Sequence, residues 1–114
     1  MKKLLLLTIL LLNLAMPAQA EEKSFRLINA TAEQIMYIAV APTGSEDWIW
    51  LLDFDYDADM MEPGETWTFW FERANHKLWD MYIVTVETEW TWDKLDMTAF
   101  SLFSYEPEGM LYWN

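Results

Sequence analysis

The apolar positions of this chain recur every second residue far more often than every third or fourth. Thr66, Thr68 and Trp70 alternate with Trp67, Phe69 and Phe71, and this is the clearest strand in the sequence. Leu78 to Val86 (LWDMYIVTV) predicts a long strand. Gln34 to Ala41 (QIMYIAVA) predicts one buried on both faces or nearly so, because it is rich in β-formers and interrupted by little that is polar. Ser24 to Ala30 opens with alternation, and Ala99 to Tyr105 closes the pattern. Glu89-Trp90-Thr91-Trp92-Asp93 is a short strand with both indoles on one face and the polar residues on the other. Trp48 to Leu52 is too short for periodicity to separate strand from helical turn.

Turn chemistry separates these runs. Asn29 to Glu33 reads as a turn, since Asn and Thr side chains bond local backbone. Pro42-Thr43-Gly44-Ser45 is a loop. Pro63-Gly64 suits the two central positions of a type II turn, Pro presetting φ and Gly accepting a positive one. Glu72 to Lys77 is a polar connection, Glu87-Thr88 a tight one, and Lys94 to Thr98 a loop. Glu106 to Asn114, with Pro107 and Gly109, reads as a loose tail. Six or seven strands with turn signals about every 8–12 residues, and no amphipathic helix, predict an all-β domain: a small antiparallel sandwich or barrel.

The N-terminus has a different pattern. Met1-Lys2-Lys3 precedes an apolar run from Leu4 to Met16, and Pro17-Ala18-Gln19-Ala20 follows. A positive start, about a dozen apolar residues and an A-x-A site are the three parts of a secretory signal peptide. The run falls short of the ~20 residues that span a bilayer, so no membrane span is expected after cleavage. The expectation is a leader at 1–20, a single domain at 21–114, and a periplasmic or extracellular location.

Export changes the reading of composition. The 114 residues less the 20 of the leader leave 94, a size at which only about 60–65% of the unfolded surface is buried. Small exported domains usually compensate with disulfides, but this chain has no cysteine. Eight Trp, five Tyr and six Phe, all after the leader, supply the core instead, each large ring burying roughly 150–250 Å². Loss of Lys2 and Lys3 leaves five basic residues against nineteen acidic, a formal charge of −14. So few scattered cations cannot neutralise a run of phosphates, which argues against nucleic acid and against anionic lipid.

Several segments together resemble a group of small exported bacterial proteins of unknown function, sometimes mislabelled as lyases or twin-arginine signal proteins. They are Leu27-Ile28-Asn29-Ala30-Thr31, Ile35-Met36-Tyr37-Ile38, Pro42 to Trp48, Glu62-Pro63-Gly64-Glu65, Leu78-Trp79-Asp80-Met81 and Trp90 to Asp96. The resemblance implies a β-sandwich-like exported domain and no particular activity. The family pattern carries two cysteines, and Lys77 and Thr98 stand at about those positions here.

Candidate chemistry is sparse. Asp53, Asp55, Asp57 and Asp59 recur every second residue, so an extended chain would set four carboxylates on one side, a candidate calcium site, and calcium is the one cofactor the sequence suggests. Ala58 and Gly64 stand where an EF-hand needs its glycine and its bidentate glutamate, so that motif is excluded. Without a ligand, the same stretch is a solvated acidic loop. His76 is the single histidine, and no serine sits in a nucleophile-elbow pattern, which argues against an enzyme. Trp50, Trp90 and Trp92 are the candidate ligand-binding residues: exposed, they would form an aromatic platform; buried, they are core. The expectation is a non-catalytic exported module binding a protein or cell-envelope component. The alternative is a carbohydrate- or calcium-binding module using the Trp platform or the Asp53–Asp59 loop.

Overall fold

A computed structural model describes residues 22–72 and 76–114. The expected leader at 1–20 lies outside the described residues. The domain is all-β, a sandwich of two four-stranded sheets. The strands are β1 (Glu22–Asn29), β2 (Ile35–Pro42), β3 (Ile49–Asp53), β4 (Thr66–Glu72), β5 (Leu78–Thr85), β6 (Glu89–Asp96), β7 (Leu102–Glu106) and β8 (Met110–Trp113). A single helical turn, α1 (Phe54–Asp57), follows β3. The first sheet has the order β4-β1-β7-β8 and the second β3-β2-β5-β6. All pairings are antiparallel except β1 with β7.

Alternation decides what lies between the sheets. From the first sheet, Phe25, Leu27, Phe69, Phe71, Phe103 and Tyr105 point inward; from the second, Ile35, Ile38, Val40, Trp79, Met81 and Ile83. Phe25 is the hub of the first sheet's inner face, with ring centroids of Phe69 and Phe103 both at 5.6 Å. Phe71 and Trp79 bridge the two sheets edge to face at 4.8 Å. Such pairs add about 0.5–1.5 kcal/mol beyond the area they bury, which suits a core built without cross-links.

Asn29, fully buried at the end of β1, organises the crossing to the second sheet. Its Nδ2 donates to the carbonyls of Glu33 (2.8 Å) and Met61 (3.3 Å), while its Oδ1 accepts from the Thr31 amide and hydroxyl. The Pro63-Gly64 turn forms as its sequence predicts: Gly64 has φ +86°, and the Glu65 amide donates to the Glu62 carbonyl.

Three features depart from the sequence reading. There are eight strands among the described residues, not six or seven. The additional one comes from the segment read as a loose tail, where β8 pairs with β7 after a turn at Pro107–Gly109. Leu111 there is buried, and β8 covers the edge of β7 that β1 leaves open. Lys94 to Asp96, read as the start of a loop, remain in β6. A β-bulge between Trp92 and Leu95 places Asp93 and Lys94 opposite Asp80, with Lys94 at φ +59°. The extra residue shifts the inward phase from Trp90 and Trp92 to Leu95 and Met97, which simple alternation cannot anticipate.

Candidate functional site

The outer face of the β3-β2-β5-β6 sheet carries a cluster of aromatic rings. Register places Trp50 of β3 beside Ala39 of β2, Ala39 beside Tyr82 of β5, and Tyr82 beside Thr91 of β6. Ala39 is 0% exposed although it lies on the outer face. Its small side chain leaves a gap in that row, and the rings of Trp50 and Tyr82 meet there at 6.3 Å and 74°. Trp48 extends the cluster, 5.9 Å from Tyr82 at 51°, and Tyr37 extends it on the other side, 6.1 Å from Trp50 at 77°. Trp48, Trp50, Tyr82 and Thr91 line a shallow depression of about 240 Å³.

Two bulges bring the rings to this face. Leu51 is the unpaired residue opposite the Ile38–Ala39 step, so Leu52 points inward while Trp50 points outward. Met36 plays the same part between Ile35 and Tyr37 against β5, sending Ile35 inward and Tyr37 outward.

Carboxylates border the cluster. Tyr82 donates its hydroxyl to Glu89. That bond holds the phenol above its ordinary pKa, with burial and the charge of Glu89 adding to the effect. Tyr37 is raised likewise, first by a hydrogen bond to Asp55, then by burial and by the charges of Asp55 and Asp53. Both phenols therefore stay protonated at neutral pH. Asp80 lies on the same face, where its Oδ1 accepts from the Thr43 hydroxyl (2.8 Å) and from the Lys94 amide of the bulge (3.2 Å).

The three tryptophans singled out by sequence do not form one platform. Trp50, 49% exposed, belongs to this outer cluster. Trp90 and Trp92 share the opposite, inner face of the same sheet, as their alternation predicts. Trp92 packs edge to face on Tyr105 at 5.6 Å and donates its indole N–H to the Gly109 carbonyl (2.9 Å). Trp90, 39% exposed, borders a cavity of about 350 Å³ at the end of the sandwich, shared with Glu33, Thr88, Tyr105, Pro107 and Glu108. Thr85 Oγ1 donates to Glu33 there.

The acidic stretch does not meet the geometry expected of it. Phe54 to Asp57 form a helical turn, so Asp53, Asp55, Asp57 and Asp59 do not line one side of an extended chain. Asp53 caps that turn by accepting from the Asp55 amide (3.1 Å), and Asp57 accepts from the Asp53 amide (3.1 Å). Among the described residues no group of three or more His, Cys, Asp or Glu side chains could hold a metal ion. His76, exposed just before β5, sits edge-on to Trp79 at 6.0 Å.

Sequence reasoning missed Tyr37 and Tyr82. A signal for Tyr82 existed: in Leu78 to Val86 it alternates with Trp79, Met81 and Ile83, so it had to face outward. Its neighbours across the sheet depend on register, which no local pattern carries. No protein-family model matches the chain, and neither a curated protein nor a solved structure matches it.

Proposed function

We propose that this protein is an exported, non-catalytic β-sandwich module that binds a protein or cell-envelope component through the aromatic shelf formed by Tyr37, Trp48, Trp50 and Tyr82. The observation that supports this is the presence of four mutually braced rings on a sheet face that no other layer of the described fold covers. A sheet face turned to water ordinarily alternates to polar side chains, and a contiguous aromatic patch there marks a contact surface. Edge-to-face packing and the Tyr82–Glu89 bond hold the rings in place before a partner arrives, which lowers the ordering cost of binding. The shelf offers protonated phenols, indoles and carboxylates, a set suited to contact rather than to nucleophilic chemistry.

The test uses the purified chain on a biosensor surface, exposed separately to the soluble exported proteins and to the wall polysaccharide of the producing cell. Binding of one fraction that falls at least about tenfold in Trp50→Ser, with the melting temperature kept, is the expected result. Equal binding by wild type and Trp50→Ser, or binding of neither fraction, would overturn the proposal.

A further inference from the structure

We infer that the shelf receives lysine or arginine side chains from an extended basic segment of a partner protein; the inference rests on the shelf being the contact surface.

The arrangement of the rings comes first. A sugar ring stacks on a flat platform, which calls for coplanar aromatic faces. The rings of Trp48, Trp50 and Tyr82 that line the depression meet at 51° and 74°, so they form a corrugated wall around it, which Tyr37 continues at 77° to Trp50. Rings inclined around a depression are the arrangement of an aromatic cage, in which an ammonium or guanidinium group is drawn to the open π-faces.

Charge supplies the second argument. Four carboxylates border the rings. Asp53 is the cross-strand partner of Tyr37, Asp55 follows in α1 with its charge acting on the Tyr37 phenol, Glu89 accepts from the Tyr82 hydroxyl, and Asp80 lies beyond Tyr82 on the same face of β5. The four strands of this sheet carry one basic residue, Lys94, at the bulge. An anionic ligand would meet uncompensated repulsion here, and a neutral one would leave the carboxylates without a role in binding.

The spread of the carboxylates indicates a segment rather than a single amine. From β3, which carries Asp53, to β6, which carries Glu89, are three inter-strand steps, about 14 Å. One cation cannot reach both ends. A segment with basic residues about two apart projects successive side chains over that span.

The experiment measures binding of the purified chain to three probes: a nine-residue peptide alternating lysine and serine, the same peptide acetylated on every lysine Nε, and a neutral linear glucose hexasaccharide. The lysine peptide should bind, more weakly as salt rises. Trp50→Ser should weaken it about threefold or more, the scale of an exposed cation–π contact. Asp53→Asn with Glu89→Gln should weaken it further than Glu72→Gln with Glu108→Gln, which removes equal charge away from the shelf. Acetylated peptide or hexasaccharide binding as well as the lysine peptide, with dependence on Trp50, would overturn the cationic occupant and leave the shelf as a contact surface. Lysine-peptide binding indifferent to Trp50, or equally sensitive to both charge pairs, would mean diffuse attraction to an acidic protein and would overturn the inference. Absence of binding by the lysine peptide would overturn it as well.

Discussion

The indole of Trp90 is seated against Gly109 so closely that a β-carbon there would lie 2.5 Å from ring atoms Cδ2 and Cε3. Gly109 also has φ +75°, a backbone conformation that side chains resist. Contact and conformation thus both demand glycine where the chain turns from β7 into β8. Gly109→Ala should destabilise the domain by about 1–2 kcal/mol through the backbone and about 1–3 kcal/mol through displaced packing. In a Trp90→Ala background only the backbone part should remain, so a double-mutant cycle by chemical denaturation should return a coupling of at least about 1 kcal/mol. Additive effects would show that the ring yields freely.

Trp90 and Trp92 should separate in mutagenesis although they share a face. Trp92 packs on Tyr105 and bonds the Gly109 carbonyl, so Trp92→Ala should cost about 3–5 kcal/mol and unfold much of a marginal domain at room temperature. Trp90→Ala, at the rim, should cost about 1–2 kcal/mol and leave a folded protein. Thermal melting followed by near-ultraviolet circular dichroism distinguishes the two outcomes.

Asn29→Ala should be among the most damaging polar substitutions. It removes the donor for the Glu33 and Met61 carbonyls and the acceptor for Thr31 in a fully buried place. Unsatisfied buried groups cost about 1–3 kcal/mol each, so a loss of about 3 kcal/mol is expected in equilibrium denaturation. A loss below about 1 kcal/mol would mean that water replaces the amide.

The tyrosines of the shelf should titrate late. The Tyr82 phenol is raised by its bond to Glu89, so alkaline titration at 295 nm should show it ionising above the usual value of 10.0. Glu89→Gln should bring its transition back toward that value. A group whose folded pKa is raised contributes stability that is present below the unfolded pKa and is lost as pH rises through the folded one. The stability difference between wild type and Glu89→Gln should therefore shrink in strongly alkaline buffer.

Asp96 works in the opposite direction. Its carboxylate is held below the ordinary value of 3.8, chiefly by the Thr98 hydroxyl, then by the Thr98 amide, Lys77 and the Ala99 amide, against opposition from burial. Lys77 Nζ lies 3.6 Å from Asp96 Oδ2, and Thr98 Oγ1 is 2.5 Å from Oδ1. A depressed pKa gives stability that is present above the unfolded value and lost as pH falls through the folded one. Asp96→Asn should thus lower the melting temperature at neutral pH, with the gap closing below pH 3.8. A gap independent of pH would assign the effect to lost hydrogen bonds alone.

By itself the sequence determined the fold class, because alternation in Thr66–Phe71 and Leu78–Val86 assigns faces without knowledge of a partner strand. It also determined that Gln34–Ala41 is a covered strand, and Ala39 and Ala41 are both fully buried. It placed Trp90 and Trp92 on a common face and the type II turn at Pro63-Gly64, since these follow from neighbouring residues. Tertiary structure decided the rest. Whether Glu106–Asn114 hangs free or becomes β8 depends on β7 having an open side, which is a property of the sheet. The bulges at Met36, Leu51 and Asp93–Lys94 set the phase of every ring beyond them, and they form only against a paired strand. The aromatic shelf is therefore drawn from three separate stretches of the chain, at Tyr37, at Trp48 with Trp50, and at Tyr82, brought together by register, and register is a contact between strands rather than a pattern within one.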